Sequence, residues 1–328
     1  MANEGEDLVA AVRSDPILAE YADLLLAAGR PSIRLRPDGA ASRYRGESRV
    51  GGQPSVPVGF AWPTRHVEMP TPSDAWVAAQ YFAPRLLPPD GISAYQFIAQ
   101  IDLAAVALFD VEGLLPRDGH LLFFYDEFYQ SDIDPTAGLQ ATSWSRPGGG
   151  AEFAMREFGY DQVDQVRVIY VPGGVTLRDA DDGPHPPTAL PLVASADMTL
   201  PSVDAYVIAS ATTSVDERDG RVVLQPDAWT RLADLGYEHR ANADIDQMLG
   251  WADNSAHGPS LPPEHARGLA SVAPADRLHE AIDARLLLQV SPRTYEATGI
   301  RFGRTLYFYI RDSALRAGDF SGCWYDSD

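Results

Sequence analysis

The alternation of apolar and polar positions marks out most of the regular elements. Ser14-Asp15-Pro16 sets a capping pair before a proline suited to a first helical turn. Ile17, Leu18, Tyr21, Leu24, Leu25 and Ala28 then recur at helical spacing, and Gly29 supplies a stop. This predicts a helix in an N-terminal segment, 1–30, packed on the rest of the chain. Strand patterns follow over 32–36, 95–101, 121–125, 166–170, 205–210, 221–224, 286–290 and 305–310. Asp102 heads a short helical stretch ending near Phe109, and 228–235 and 276–283 also read as helices. Glycine- and proline-rich sequence fills 51–89 and 254–274, and the polar stretch 131–150 reads as a loop.

Two blocks repeat in the same order. Phe97-Ile98-Ala99-Gln100-Ile101 matches Leu286-Leu287-Leu288-Gln289-Val290, each with a glutamine inside an apolar strand. Each is followed by a glycine-led aromatic strand, Gly119 to Tyr125 in one copy and Gly303 to Tyr309 in the other. The repeat predicts two related halves, about 31–150 and 160–328, within one domain spanning 31–328. Each half contributes an antiparallel, hairpin-like pair, so the expected class is α+β: antiparallel sheets from two pseudo-repeated halves with peripheral helices. A buried amide left unpaired costs about 1–3 kcal/mol. Gln100 and Gln289 must therefore bond backbone groups, each other or a ligand, and backbone satisfaction is the simpler expectation.

Composition narrows the chemistry. The net charge is −20 and the pI about 4.6, a balance that disfavours nucleic acid and anionic membranes as partners. No stretch approaches the roughly 20 apolar residues of a membrane helix. The acidic N-terminus lacks the basic start of a secretion signal, and the single cysteine, Cys323, forms no intramolecular disulfide. These features predict a cytoplasmic protein.

All 26 basic residues are arginine. Without lysine there is no Schiff base, no P-loop lysine and no kinase lysine. No histidine pair has the spacing of a helical zinc site, and no glycine-rich dinucleotide loop or Gly-x-Ser-x-Gly elbow occurs. No cofactor or metal is expected.

Arg30, Arg34, Arg36, Arg43, Arg45 and Arg49 form a basic island that runs into Gly51-Gly52. Guanidinium groups beside exposed backbone N–H groups could hold an anion. The simpler reading pairs these arginines with the abundant carboxylates. Trp62 and Trp251 are candidate pocket walls, and His239 and Asp102 are the proton-transfer candidates. Asp179, Asp181 and Asp182 before Gly183 fail the spacing of a calcium loop.

Several of these blocks also carry a family resemblance. Arg49-Val50-Gly51-Gly52-Gln53-Pro54, Trp62-Pro63, Phe97 to Leu103, Leu115 to Gly119, Leu249-Gly250-Trp251, Leu286 to Gln289 and Leu306 to Ile310 resemble, in that order, the bacterial YwqG-like family. The chain departs from that pattern at Ser291-Pro292-Arg293, Gly303-Arg304 and Ala252. The resemblance implies an α+β fold with antiparallel sheet and no established activity, and it hints at protein binding or immunity. The leading expectation is a non-catalytic binding or accessory module for a protein partner or a small anionic ligand. The alternative is a metal-independent enzyme that clamps an anionic substrate with Arg45 and Arg49. A purely structural subunit is a third reading.

Overall fold

The computed structural model describes residues 4–39, 44–66, 91–126, 165–180, 183–203, 205, 207–211, 221–240, 245–253, 279, 282–299 and 305–327. The stretches 131–150 and 254–274, together with Arg43, Trp76, Asp181, Asp182 and Gly303-Arg304, lie outside them.

Six strands come from the first part of the chain to Asp102: β1 (Arg30–Pro37), β2 (Arg49–Gly51), β3 (Ser55–Pro57), β4 (Thr64–His66), β5 (Ile92–Ala94) and β6 (Gln96–Asp102). The middle supplies β7 (His120–Tyr125), β8 (Val166–Val171), β9 (Leu177–Asp179), β10 (Ala189–Thr199), β11 (Ile208–Ser210) and β12 (Val222–Leu224). The last four are β13 (Asp246–Leu249), β14 (Ala284–Val290), β15 (Leu306–Arg311) and β16 (Trp324–Ser327). Ten of them form one sheet in the order β16-β15-β14-β13-β1-β10-β2-β6-β7-β8. Read from the middle outwards, β2-β6-β7-β8 mirrors β13-β14-β15-β16, so a pseudo-twofold axis passes between β1 and β10. The glutamine and aromatic strands of the two repeated blocks fall on opposite wings of this sheet, while β8, from beyond residue 160, joins the first wing and β1, from before residue 150, pairs with β13 of the second.

The wings curl towards each other. Phe123 on β7 and Phe308 on β15 meet edge to face at 5.2 Å, and the hydroxyls of Tyr125 and Tyr325 lie 3.2 Å apart. Strands near opposite ends of the sheet therefore share one inner core, which also contains Ile33, Leu35, Ile101, Leu121, Leu288 and Ile310. Right-handed strand twist curves a ten-stranded antiparallel sheet, and bulges add to that curvature.

The bulges fall at equivalent places. Pairing of β6 with β7 slips between Phe97 and Ala99, and pairing of β14 with β15 slips between Leu286 and Leu288. Side chains in a strand alternate between faces, so one extra residue reverses the alternation beyond it. Ile98 and Ala99 both enter the inner core, as do Leu287 and Leu288. Gln100 and Gln289 consequently turn to the outer face, opposite Leu122 and Tyr307.

The N-terminal segment differs in detail from one continuous helix. An additional helix covers Glu4–Ser14, a 3-10 turn covers Leu18–Tyr21, and a helix covers Ala22–Ala28. Asp15 acts as the expected cap, its Oδ1 accepting from the N–H groups of Ile17 at 2.9 Å and Leu18 at 3.0 Å. Leu8, Val12, Leu18 and Leu25 pack with Leu224, Leu232 and Leu235, the last two on the helix Pro226–Arg240. The short helix after Asp102 forms over Leu103–Val106. Most of the region 276–283 is outside the described residues.

Candidate functional site

Both glutamines are consumed by the fold, and in the same way. Gln100 Oε1 accepts from the Ser55 N–H at 2.8 Å, and its Nε2 donates to the Glu47 carbonyl at 3.0 Å. Gln289 Oε1 accepts from the Asp253 N–H at 3.0 Å, and its Nε2 donates to the Ile245 carbonyl at 2.8 Å. The side chain of Ser48 accepts from the Asp102 N–H at 2.9 Å, and that of Asp246 accepts from the Ser291 N–H at 2.7 Å. Asp102 and Ser291 in turn cap the helices Leu103–Val106 and Pro292–Glu296.

Residues 47–55 therefore map one by one onto 245–253. The block contains two consecutive left-handed residues in each half: Gly51 and Gly52, both at φ +67°, and Leu249 and Gly250 at φ +59° and +74°. This third repeat is not visible in the sequence pattern. Apart from one glycine, the equivalent residues differ in type, so similarity carried no signal. Spacing back from Asp102 and Ser291 through the two glutamines was the available clue.

The basic island is dispersed into structural contacts. Arg45 pairs with Asp179 at 3.1 Å on the surface. Arg49 is buried and donates to the Gln53 carbonyl and, at 3.0 Å, to Ser55 Oγ. Arg30 donates to the carbonyls of Ala284 at 3.0 Å and Ile282 at 2.8 Å, with its guanidinium 3.7 Å over the Trp251 ring. Burial and the nearby Arg285 pull its pKa down to about 9, which still leaves it charged at neutral pH. Arg34 is 5% exposed, and its Nη1 lies 4.0 Å from Asp197. Arg36 is exposed at the end of β1. The Gly52 N–H donates to the Pro186 carbonyl at 3.1 Å, while a Cβ on Gly51 would stand 2.5 Å from the Thr188 carbonyl oxygen. These glycines permit close backbone packing.

The proton-transfer candidates are placed apart. Asp102 belongs to the first wing, where its Oδ1 caps a helix and its Oδ2 accepts from the Tyr44 hydroxyl at 3.1 Å. His239 lies on the helix that packs with the N-terminal segment, and its side chain is outside the described residues. His120, which the sequence did not single out, stands opposite Asp102 in the β6–β7 register. Burial lowers its pKa, with Asp102 opposing that shift. Cys323 is 2% exposed, and burial drives its thiol pKa far up. Trp62 donates its indole N–H to the Tyr95 carbonyl at 2.7 Å and packs edge-on to Phe124. Among the described residues no group of three or more His, Cys, Asp or Glu side chains is placed to hold a metal ion.

A cavity of about 70 Å³ lies between the N-terminal helices and the second wing. Its lining residues include the apolar Leu8, Leu232 and Leu235 and the polar Thr199, Gln247 and Asp253. Trp251 also lines it, with its indole N–H donating to the Ala28 carbonyl at 2.8 Å. Gln247 is 1% exposed and donates through Nε2 to the Trp251 carbonyl at 2.8 Å and to Gln289 Oε1 at 3.3 Å. Its Oε1 has no hydrogen-bond partner among the described residues. A buried acceptor of this kind is costly unless water or a ligand satisfies it.

Fold and cavity together define an α+β protein with a duplicated, curled antiparallel sheet and a largely apolar recess beside the second wing. The chain belongs to the family described as Domain of unknown function (DUF1963), whose model matches residues 48–328. The match begins after β1, although β1 is a central strand of the sheet. No curated protein matches the chain. No helix among the described residues is long and apolar enough to cross a membrane.

Proposed function

We propose that this chain is a non-catalytic binding module whose ligand enters the cavity between the N-terminal helices and the second wing. The observation that carries this reading is Gln247 Oε1, a buried acceptor without a partner among the described residues, on a residue that lines the cavity. The groups nominated for catalysis serve other ends. Asp102 caps a helix, Arg45 and Arg49 are held in ion-pair and backbone contacts, and Cys323 is buried in the core. The YwqG-like assignment, a cytoplasmic setting and an accessory or immunity-like role belong to the same proposal.

A thermal-shift screen of a metabolite library against the intact chain tests it. The expected result is a compound that raises the unfolding midpoint, with the shift lost in Gln247→Leu. Conversion of any library compound, abolished by Arg45→Leu or Asp102→Asn, would sink the reading.

One observation favours the enzymatic alternative. His120 faces Asp102 across paired strands on the wing that also holds Arg45 and Arg49. In that reading His120, and not His239, is the base. Loss of turnover in His120→Ala with unchanged stability is the result that would support it.

A further inference from the structure

The cavity beside the second wing is walled by hydrocarbon from separate segments of the chain. Leu8 comes from the helix Glu4–Ser14, Leu200 and Val203 from the residues just after β10, and Leu232 and Leu235 from the helix Pro226–Arg240. Trp251, just after β13, completes the wall. Leu8, Leu232, Leu235 and Trp251 are buried members of one apolar cluster, and Leu200 and Val203 pack against it. Leu200, Val203 and Ala233 are half-buried, so the cavity reaches the surface on their side.

The polar groups of the lining are tied to the protein. Thr199 Oγ1 accepts from the Trp251 N–H at 2.6 Å, and the Trp251 indole N–H donates to the Ala28 carbonyl at 2.8 Å. Gln247 Nε2 donates to the Trp251 carbonyl at 2.8 Å, and the Asp253 N–H donates to Gln289 Oε1 at 3.0 Å. A molecule entering from the surface therefore meets hydrocarbon. Size sets a second limit. An apolar protein cavity of about 150 Å³ holds benzene, so one of about 70 Å³ holds about half as much, roughly three carbons.

We propose that the cavity receives a short aliphatic group of about three carbons, the apolar end of a ligand whose polar head stays at the surface beside Val203 and Ala233. This inference rests on the binding-module reading for the place of the site and takes the class of ligand from its walls.

The test uses the whole chain with carbon-13 leucine methyl groups, titrated separately with 1-butanol, 1,4-butanediol and 2-methyl-2-propanol. The diol has the same length but a polar far end, and the branched alcohol carries its carbons in one bulky group. 1-Butanol is expected to shift the Leu8, Leu232 and Leu235 methyl signals saturably, with the diol and the branched alcohol at least tenfold weaker. From methanol to 1-butanol the affinity should rise about fourfold for each carbon and then level off at 1-pentanol. Ala233→Leu fills the cavity near its mouth, so it should abolish these shifts while the other methyl signals stay in place. Val203→Ile adds a single carbon to the wall, should bring the plateau down by one carbon, and carries the test if Ala233→Leu fails to fold. Equal or tighter binding of the diol or of the branched alcohol overturns the aliphatic class while leaving a small-ligand module in place. No saturable shift with any of the three also overturns it, and the metabolite screen then decides separately whether the module reading survives. Undiminished shifts in both variants would put the alcohol elsewhere and equally overturn the proposal.

Discussion

Arg49 and Gln247 occupy equivalent positions in the two wings, opposite Gln100 and Gln289 respectively in the strand register. Each donates to the main-chain carbonyl four residues ahead, Gln53 O and Trp251 O. The scaffold around them is the same to the level of individual hydrogen bonds. The side chain that makes this contact is a guanidinium in one wing and an amide in the other.

The glutamine clasps are expected to act as structure. Gln100→Leu removes the partners of the Ser55 N–H and the Glu47 carbonyl, two buried groups. At about 1–3 kcal/mol for each unsatisfied group, the loss should be about 2–6 kcal/mol. Gln289→Leu should cost at least as much, because Gln247 Nε2 also contacts Gln289 Oε1. Urea denaturation of both variants checks this. A loss below 1 kcal/mol in either, on the scale of a solvated pair, would contradict it.

The glycine turns should be intolerant of a methyl group. A Cβ on Gly52 would stand 2.5 Å from the Ala189 Cβ, and one on Gly250 would stand 2.5 Å from Thr199 Oγ1 and 2.7 Å from the Ser32 Cβ. Gly52→Ala and Gly250→Ala combine these clashes with left-handed strain, and each should cost more than about 2 kcal/mol. Gly174→Ala is the control. Gly174 has φ +77° but nothing within 4 Å of an added Cβ, so it should lose only about 1–2 kcal/mol.

Asp246 should make stability fall as pH rises. Burial pushes its carboxyl up to about 6, against the donors of Ser291 and Thr294 and the charge of Arg34. An acid raised in the folded state holds its proton more tightly folded than unfolded. Its contribution is full below the ordinary value of 3.8 and is lost as pH climbs through about 6. The loss is on the order of 3 kcal/mol at 1.36 kcal/mol for each pH unit. Asp246→Asn removes it, so the stability difference between wild type and variant should change by that amount between pH 4 and 7. A constant difference across the range would refute the assignment.

Cys323 should be silent in the native protein. Its thiol is in the inner core, and burial disfavours the thiolate that reacts with alkylating agents. Maleimide labelling at pH 8 should proceed only after denaturant is added. Rapid labelling of the folded chain would show that the core opens locally at Cys323.

The antiparallel α+β class, the pairing of each glutamine strand with an aromatic strand and the helix cap at Asp102 were all legible in the sequence. Each rests on short-range signals: period-two alternation, a repeated block, an acidic residue before a helical run. The long central strand β10 was missed, because its burial alternates too weakly to stand out. The face on which Gln100 and Gln289 emerge was also hidden. A bulge adds one residue to a strand without any composition of its own, and that residue reverses every side chain beyond it. Only the tertiary structure decided that the glutamines point away from the inner core and clasp backbone. Only it brought Gln247 and Asp253, more than 40 residues after Thr199, to one cavity with Leu8. Sequence patterning governs how each segment pairs with its neighbours. Which polar atom is left without a partner depends on contacts between segments far apart in the chain, and those are determined by packing.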